Sequence, residues 1–183
     1  MIGLNKKIVT FAALTTAATL ASGAVFAQPA AAPAAAPARA PAPPPARGPG
    51  VALALEAAQV AVASCTASGY NVSVTVLDAG GVTRLMYAND KAAAGPIDSA
   101  TKKAYTALTL KASTADIATQ VAADPAYAAK IAADPKLFPR AGGFLLMAGT
   151  DIVGAIGVGG APGGDKDAIC AQAGIDKIQS RLK

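Results

Sequence analysis

Apolar and polar positions alternate along this chain in two rhythms, and each rhythm predicts a different element. From Val51 to Ala67, Glu56, Gln59 and Thr66 fall near one narrow stripe, while Leu53, Leu55, Val60 and Val62 fill the rest. That spacing predicts a helix buried on more than one side, with Gly69 as its C-terminal stop. Asn71 to Leu77 changes to a period of two, with Val72, Val74 and Val76 on one face. Asp78-Ala-Gly-Gly81 supplies a turn, and Val82 to Ala88 returns as a second strand.

The helical rhythm resumes after a loop from Asn89 to Pro96. Asp98 or Ser99 is expected to cap a helix running to about Lys111. Its polar side carries Lys102, Lys103 and Thr106, and its apolar positions include Tyr105, Leu108 and Leu110. Thr114 is expected to cap a further helix toward Ala123, and Asp124-Pro125 and Asp134-Pro135 then break the chain twice. Phe144 to Ala148 and Ile152 to Gly159 read as a second hairpin, turned at Gly149-Thr150-Asp151. A final helix is expected from Asp165, as N-cap, to about Leu182. The element order predicts an α+β domain: a mainly antiparallel sheet of four or five strands flanked by helices. The first and last helices can then share one face, which brings Cys65 and Cys170 together. These are the only two cysteines, and they stand either as a disulfide or as two buried thiols.

Composition divides the chain before this domain begins. Residues 1–27 have the three parts of a secretory signal: Lys6 and Lys7, an apolar stretch from Ile8 to Leu20, and a small-residue cleavage site at Val25-Phe26-Ala27. Residues 28–50 are almost entirely Ala and Pro and read as an extended spacer. Residues 51–183 then suit one compact domain. The expected location is periplasmic or secreted, with no membrane association once the leader is removed. The chain has 16 basic and 11 acidic residues, but two of the basic ones lie in the leader and two, Arg39 and Arg47, in the spacer. What remains is nearly neutral, with no clustered cations and aromatics of the kind that bind nucleic acid.

Catalytic chemistry is narrowed by what is missing. There is no histidine, which removes Ser-His catalysis and His-based zinc sites. Glu56 is the only glutamate, so paired-Glu chemistry is out. Gly159 and Gly164 have the spacing of a phosphate loop, but Asp165 stands where that motif needs lysine. Asp165 and Asp167 at a helix start would also repel phosphate. Close backbone packing accounts for the glycines better, and Asp167 reads as a first-turn acid that suits the helix dipole. Lys102, Lys103 and Thr106 read either as a solvated helix face or as a rim that holds an acidic group.

Four segments together resemble the GlcG/HbpS family of small haem-binding proteins, which is similar in turn to the C-terminal domain of PduO-type proteins. They are Val74-Thr-Val-Leu-Asp78-Ala-Gly-Gly81, Ser99-Ala-Thr-Lys-Lys103-Ala-Tyr-Thr106-Ala, Gly154-Ala-Ile-Gly-Val-Gly-Gly-Ala161 and Asp167-Ala-Ile-Cys-Ala-Gln-Ala-Gly174. The resemblance implies an antiparallel sheet between helices and a homo-oligomer, often an octamer. It also implies a haem-binding protein that sequesters haem or slowly degrades it. As ligand-binding positions it implies Asp78, Asp90, Ser99, Lys103 and Thr106. Two departures stand out: Ala88 stands two positions before Asp90 where many relatives carry arginine, and Gly159 replaces a serine common in the glycine turn.

Without histidine, haem iron can still be held by Tyr, Met or Cys, and Tyr87, Tyr105, Met86 and Met147 are available. Tyr105 is the most attractive candidate for the iron, with Lys102 and Lys103 for the propionates; otherwise it is a core residue with a wet hydroxyl. Two rival functions remain at this point. One is an accessory protein or enzyme acting on a small 2-hydroxy acid such as glycolate. The other is a structural oligomer without catalysis.

Overall fold

The computed structural model describes residues 47–183. The expected leader and most of the Ala/Pro stretch lie outside the described residues. The last four residues of that stretch lie against the domain: Arg47 accepts a hydrogen bond from the Ala79 N–H at 2.8 Å, and Pro49 is buried.

In chain order the elements are α1 (Val51–Ala67), β1 (Ser73–Asp78), β2 (Thr83–Ala88), α2 (Ala94–Leu110), α3 (Thr114–Ala123) and α4 (Pro125–Ala132). There follow β3 (Gly143–Ala148), β4 (Asp151–Gly159) and α5 (Gly164–Ile178), with a 3-10 turn at Gln179–Arg181. The four strands form one sheet in the order β2-β1-β4-β3, and every pairing is antiparallel. The α+β arrangement expected from the element order is therefore the observed one.

Strand alternation decides which helices cover which face. Val72, Val74 and Val76 join Val153, Ile156 and Val158 in a core closed by Ala54, Ala57, Ala58 and Ala61 of α1 and Ala171, Ile175 and Ile178 of α5. Ser73, Thr75 and Leu77 point the other way, beneath α2. There the Thr75 and Thr101 hydroxyls meet at 2.9 Å, and Leu77 packs with Ala104, Ala155, Tyr105 and Leu108. With helices on both faces, all six residues of β1 are buried.

The α2 side of the sheet is paved with glycine. A Cβ on Gly143 would strike the Lys103 carbonyl, one on Gly157 the Ala100 carbonyl, and one on Gly159 the Ser99 hydroxyl and, at 2.9 Å, the Pro96 carbonyl. The backbone of α2 thus rests directly on β3 and β4. A side chain at position 159 would have no room in this arrangement.

Cys65 and Cys170 are joined, with Cα atoms 5.5 Å apart and 105 positions between them in sequence. The bridge ties α1 to α5 on their shared face. α1 ends as expected: Gly69 has φ +80°, and the N–H groups of Gly69 and Tyr70 cap the Thr66 and Cys65 carbonyls.

Three helix starts differ from expectation. α2 begins at Ala94 and not at Asp98, because Pro96 falls in the first turn, where no intrahelical N–H partner exists to lose. Asp98 instead pairs with Lys102 at 2.9 Å. Ser113, not Thr114, caps α3 through the Asp116 N–H, and the Thr114 hydroxyl is drawn inward to the Gly143 N–H at 2.8 Å. Gly163 is the N-cap of α5, which leaves the Asp165 side chain 76% exposed and without a capping role.

Candidate functional site

α2 lies on the sheet through Ala100, Ala104 and Ala107, all fully buried. Its polar side chains leave from the two flanks of that apolar stripe. Neighbouring residues on a helix are about 100° apart, so Lys102 and Lys103 part company. Two separate cavities result.

The first is an open hollow of about 360 Å³ whose lining includes Leu77, Thr101, Lys102, Tyr105 and Lys136. Leu77 belongs to the small apolar cluster against which Tyr105 packs. Lys102 is 37% exposed and pairs with the still more exposed Asp98, so its ammonium stays in water and is free to exchange partners.

The second cavity, of about 250 Å³, lies under the turn that runs from Gly160 to Gly164, with Ser99, Lys103, Arg140 and Asp167 in its lining. Lys103 Nζ donates to Asp167 Oδ2 at 2.6 Å and to the Val158 carbonyl at 2.9 Å. Asp167 Oδ1 accepts from the Ala161 N–H at 2.9 Å. Burial pushes the Lys103 ammonium below its ordinary pKa against the bond to Asp167, and the nearby Arg140 charge adds to the drop. Burial likewise pushes the Asp167 carboxyl above its ordinary value, against the bonds from Lys103 and Ala161.

Of the residues singled out in the sequence, Tyr105 and Lys102 come together in the first cavity and Ser99 and Lys103 in the second. Lys103 and Thr106 do not form the exposed rim expected with Lys102. Lys103 is 3% exposed and Thr106 is fully buried, because residues three apart share the flank of α2 that faces the sheet and the 138–140 segment. The Thr106 hydroxyl donates to the Lys102 carbonyl and accepts from the Phe138 N–H at 2.8 Å.

Asp78 and Asp90 line neither cavity. The buried Asp78 organises its own turn: Oδ1 accepts from the Gly80 and Val82 N–H groups at 2.9 Å, and Oδ2 lies 2.7 Å from Arg84. Asp90 is exposed in the turn after β2. Among the other iron-ligand candidates, Tyr87 packs against the α1–α5 core and Met86 is 50% exposed on the edge strand. Among the described residues, no group of three or more His, Cys, Asp or Glu side chains is placed to hold a metal ion.

Three cavity residues escape a reading of periodicity. Asp167 resembles any first-turn acid until Lys103, 64 positions earlier in sequence, is brought beside it. Lys136 and Arg140 sit in the irregular segment between α4 and β3, where no rhythm marks them.

The folded domain coincides with a known family. A family model described as haem degrading protein HbpS-like matches residues 51–176. This chain belongs to the HbpS-like family. Among solved structures it is similar to a double mutant of HbpS from Streptomyces reticuli, with 35% identity and a TM-score of 0.67, over 82% of this chain and 99% of that chain. It is similar to Klebsiella pneumoniae protein ORFY at 26% identity and a TM-score of 0.67, over 76% of this chain and 95% of that one. The PduOC:heme complex shares the fold at 23% identity and a TM-score of 0.63, over 70% and 94% of the two chains. No curated protein matches the chain.

Proposed function

We propose that this protein binds haem in the cavity beside Tyr105 and acts as an exported, homo-oligomeric haem-sequestering protein. Membership of a family described as haem degrading and HbpS-like supports the choice of ligand. The observation that carries the site is Tyr105 lining an open hollow of about 360 Å³ with Leu77 at its wall and Lys102 and Lys136 in its lining. That volume lies within the range of about 300–1,000 Å³ typical of ligand clefts. An apolar wall suits the porphyrin and two ammonium groups suit its propionates. A phenol oxygen is an accepted haem iron ligand.

Bound haem would supply a redox-active iron. The chain's own part is to place a phenol, an apolar wall and two cations around it. With no histidine in the chain, no imidazole is at hand to move protons near neutral pH.

Spectrophotometric titration with haemin tests the reading. The Soret band should shift and saturate, and the Lys102→Ala/Lys136→Ala variant should bind about three- to tenfold more weakly, as expected for two exposed charge contacts. A wild-type titration without saturation would remove the haem proposal. Export is tested by sequencing the N-terminus of protein recovered outside the cytoplasm: the reading requires a start at Gln28, and an intact leader contradicts it.

A further inference from the structure

The cavity under the glycine turn is separate from the Tyr105 hollow and has chemistry of its own. Asp167 has a partner on each oxygen there, Lys103 on one and the Ala161 N–H on the other. Lys103 is not. An ammonium carries three N–H donors, and two go to Asp167 and the Val158 carbonyl. The third has no protein acceptor among the described residues, although the side chain is only 3% exposed. A buried donor left without an acceptor is costly.

Arg140 adds a second unspent group. Its guanidinium lies 5.8 Å from the centre of the Phe138 ring and forms no ion pair among the described residues. It reaches the same cavity as Lys103 and is close enough to depress the lysine's pKa. The turn leading into α5 closes the cavity, so the positive end of that helix faces the same space.

We propose that this cavity is a binding site for a small monocarboxylate, held between the Lys103 ammonium and the Arg140 guanidinium. A carboxylate can take the remaining Lys103 N–H on one oxygen and meet the planar fork of arginine with both. The volume of about 250 Å³ lies just below the range of about 300–1,000 Å³ typical of ligand clefts and suits a small ligand. Charge limits it further. Asp167 is in the lining and Asp165 is in the first turn of α5, so a dianion such as phosphate meets repulsion that a single charge largely escapes. The site makes no use of Tyr105, and the proposal stands or falls independently of haem.

Isothermal titration at constant ionic strength tests it, with acetate, propionate and inorganic phosphate as probes. Acetate or propionate should bind saturably at one site per chain and more tightly than phosphate. Arg140→Gln, a change at an exposed side chain that leaves the Lys103–Asp167 pair intact, should weaken carboxylate binding by about tenfold or more. Arg140→Lys should fall between the two, because it keeps the charge and loses the fork. The proposal is overturned if neither carboxylate binds, if Arg140→Gln binds as tightly as wild type, or if phosphate binds more tightly than both.

Discussion

Lys103 Nζ and Asp167 Oδ2 lie 2.6 Å apart with 3% and 4% of their side chains exposed, and they join α2 to α5 past the end of β4. The Val158 carbonyl of β4 accepts a further Lys103 N–H, so three elements converge on one ammonium. Breaking a buried pair from one side strands the other charge and costs about 3–5 kcal/mol. Lys103→Met should therefore lower the unfolding free energy by that amount in urea titrations at fixed protein concentration. The Lys103→Met/Asp167→Leu variant should recover most of the loss, since no unpaired charge remains. A double variant as unstable as the single one contradicts this.

The same pair makes stability depend on pH in two windows. Desolvation holds the Lys103 pKa below 10.5, so the folded protein releases this proton at lower pH than the unfolded chain does. Between the lowered value and 10.5 the unfolded state binds more protons, and the contribution of Lys103 rises with pH. Desolvation also holds the Asp167 pKa above 3.8. From 3.8 to the raised value the folded state keeps the extra proton, so the contribution of Asp167 is full below 3.8 and fades as pH climbs. Urea midpoints of wild type minus the double variant should fall in the acid window and rise in the alkaline one. A difference that stays flat in both would refute the assignment.

The Cys65–Cys170 bridge closes a loop of 105 positions, for which chain-entropy estimates give about 4.7 kcal/mol and measured bridges about 2–5. Cys65→Ser/Cys170→Ser should lose stability in that range, and wild type should lose the same amount on adding reductant. Equal unfolding midpoints with and without reductant would show that the bridge contributes nothing.

Glycines on and off the sheet should respond in opposite directions. Gly157→Ala drives a methyl group against the Ala100 carbonyl and the Ala104 N–H, and overpacking of this kind costs about 1–3 kcal/mol. Gly95, in the first turn of α2, has nothing within 4 Å of an added Cβ. Gly95→Ala should stabilise by about 0.4–1 kcal/mol through loss of unfolded-state freedom. Thermal unfolding of the two variants beside wild type checks both signs.

How far the chain announces its structure depends on whether the signal is local. α1 is legible from Val51 to Ala67 because its apolar spacing and Gly69 lie within a few turns of each other. Both hairpins are legible because their apolar runs and turn residues are local as well, with a period of two marking β1. The start of α2 is not, since Gly95 and Pro96 look like breakers, and only the geometry of a first turn makes them harmless. Nor does the Lys102-Lys103 doublet say which lysine is inside: that depends on the glycine floor of β3 and β4, which comes from a distant part of the chain. The candidate site is harder still, because Lys136 and Arg140 approach α2 from a segment without periodicity.

Tyr105 is the residue on which the functional reading turns, and haemin spectra of Tyr105→Phe beside Tyr127→Phe test it most directly. Tyr127→Phe, a change on α4 away from the cavity lining, should keep the wild-type Soret position and affinity. Tyr105→Phe should shift the band and bind haemin at least tenfold more weakly. Identical spectra and affinities for wild type and Tyr105→Phe would show that Tyr105 does not hold haem.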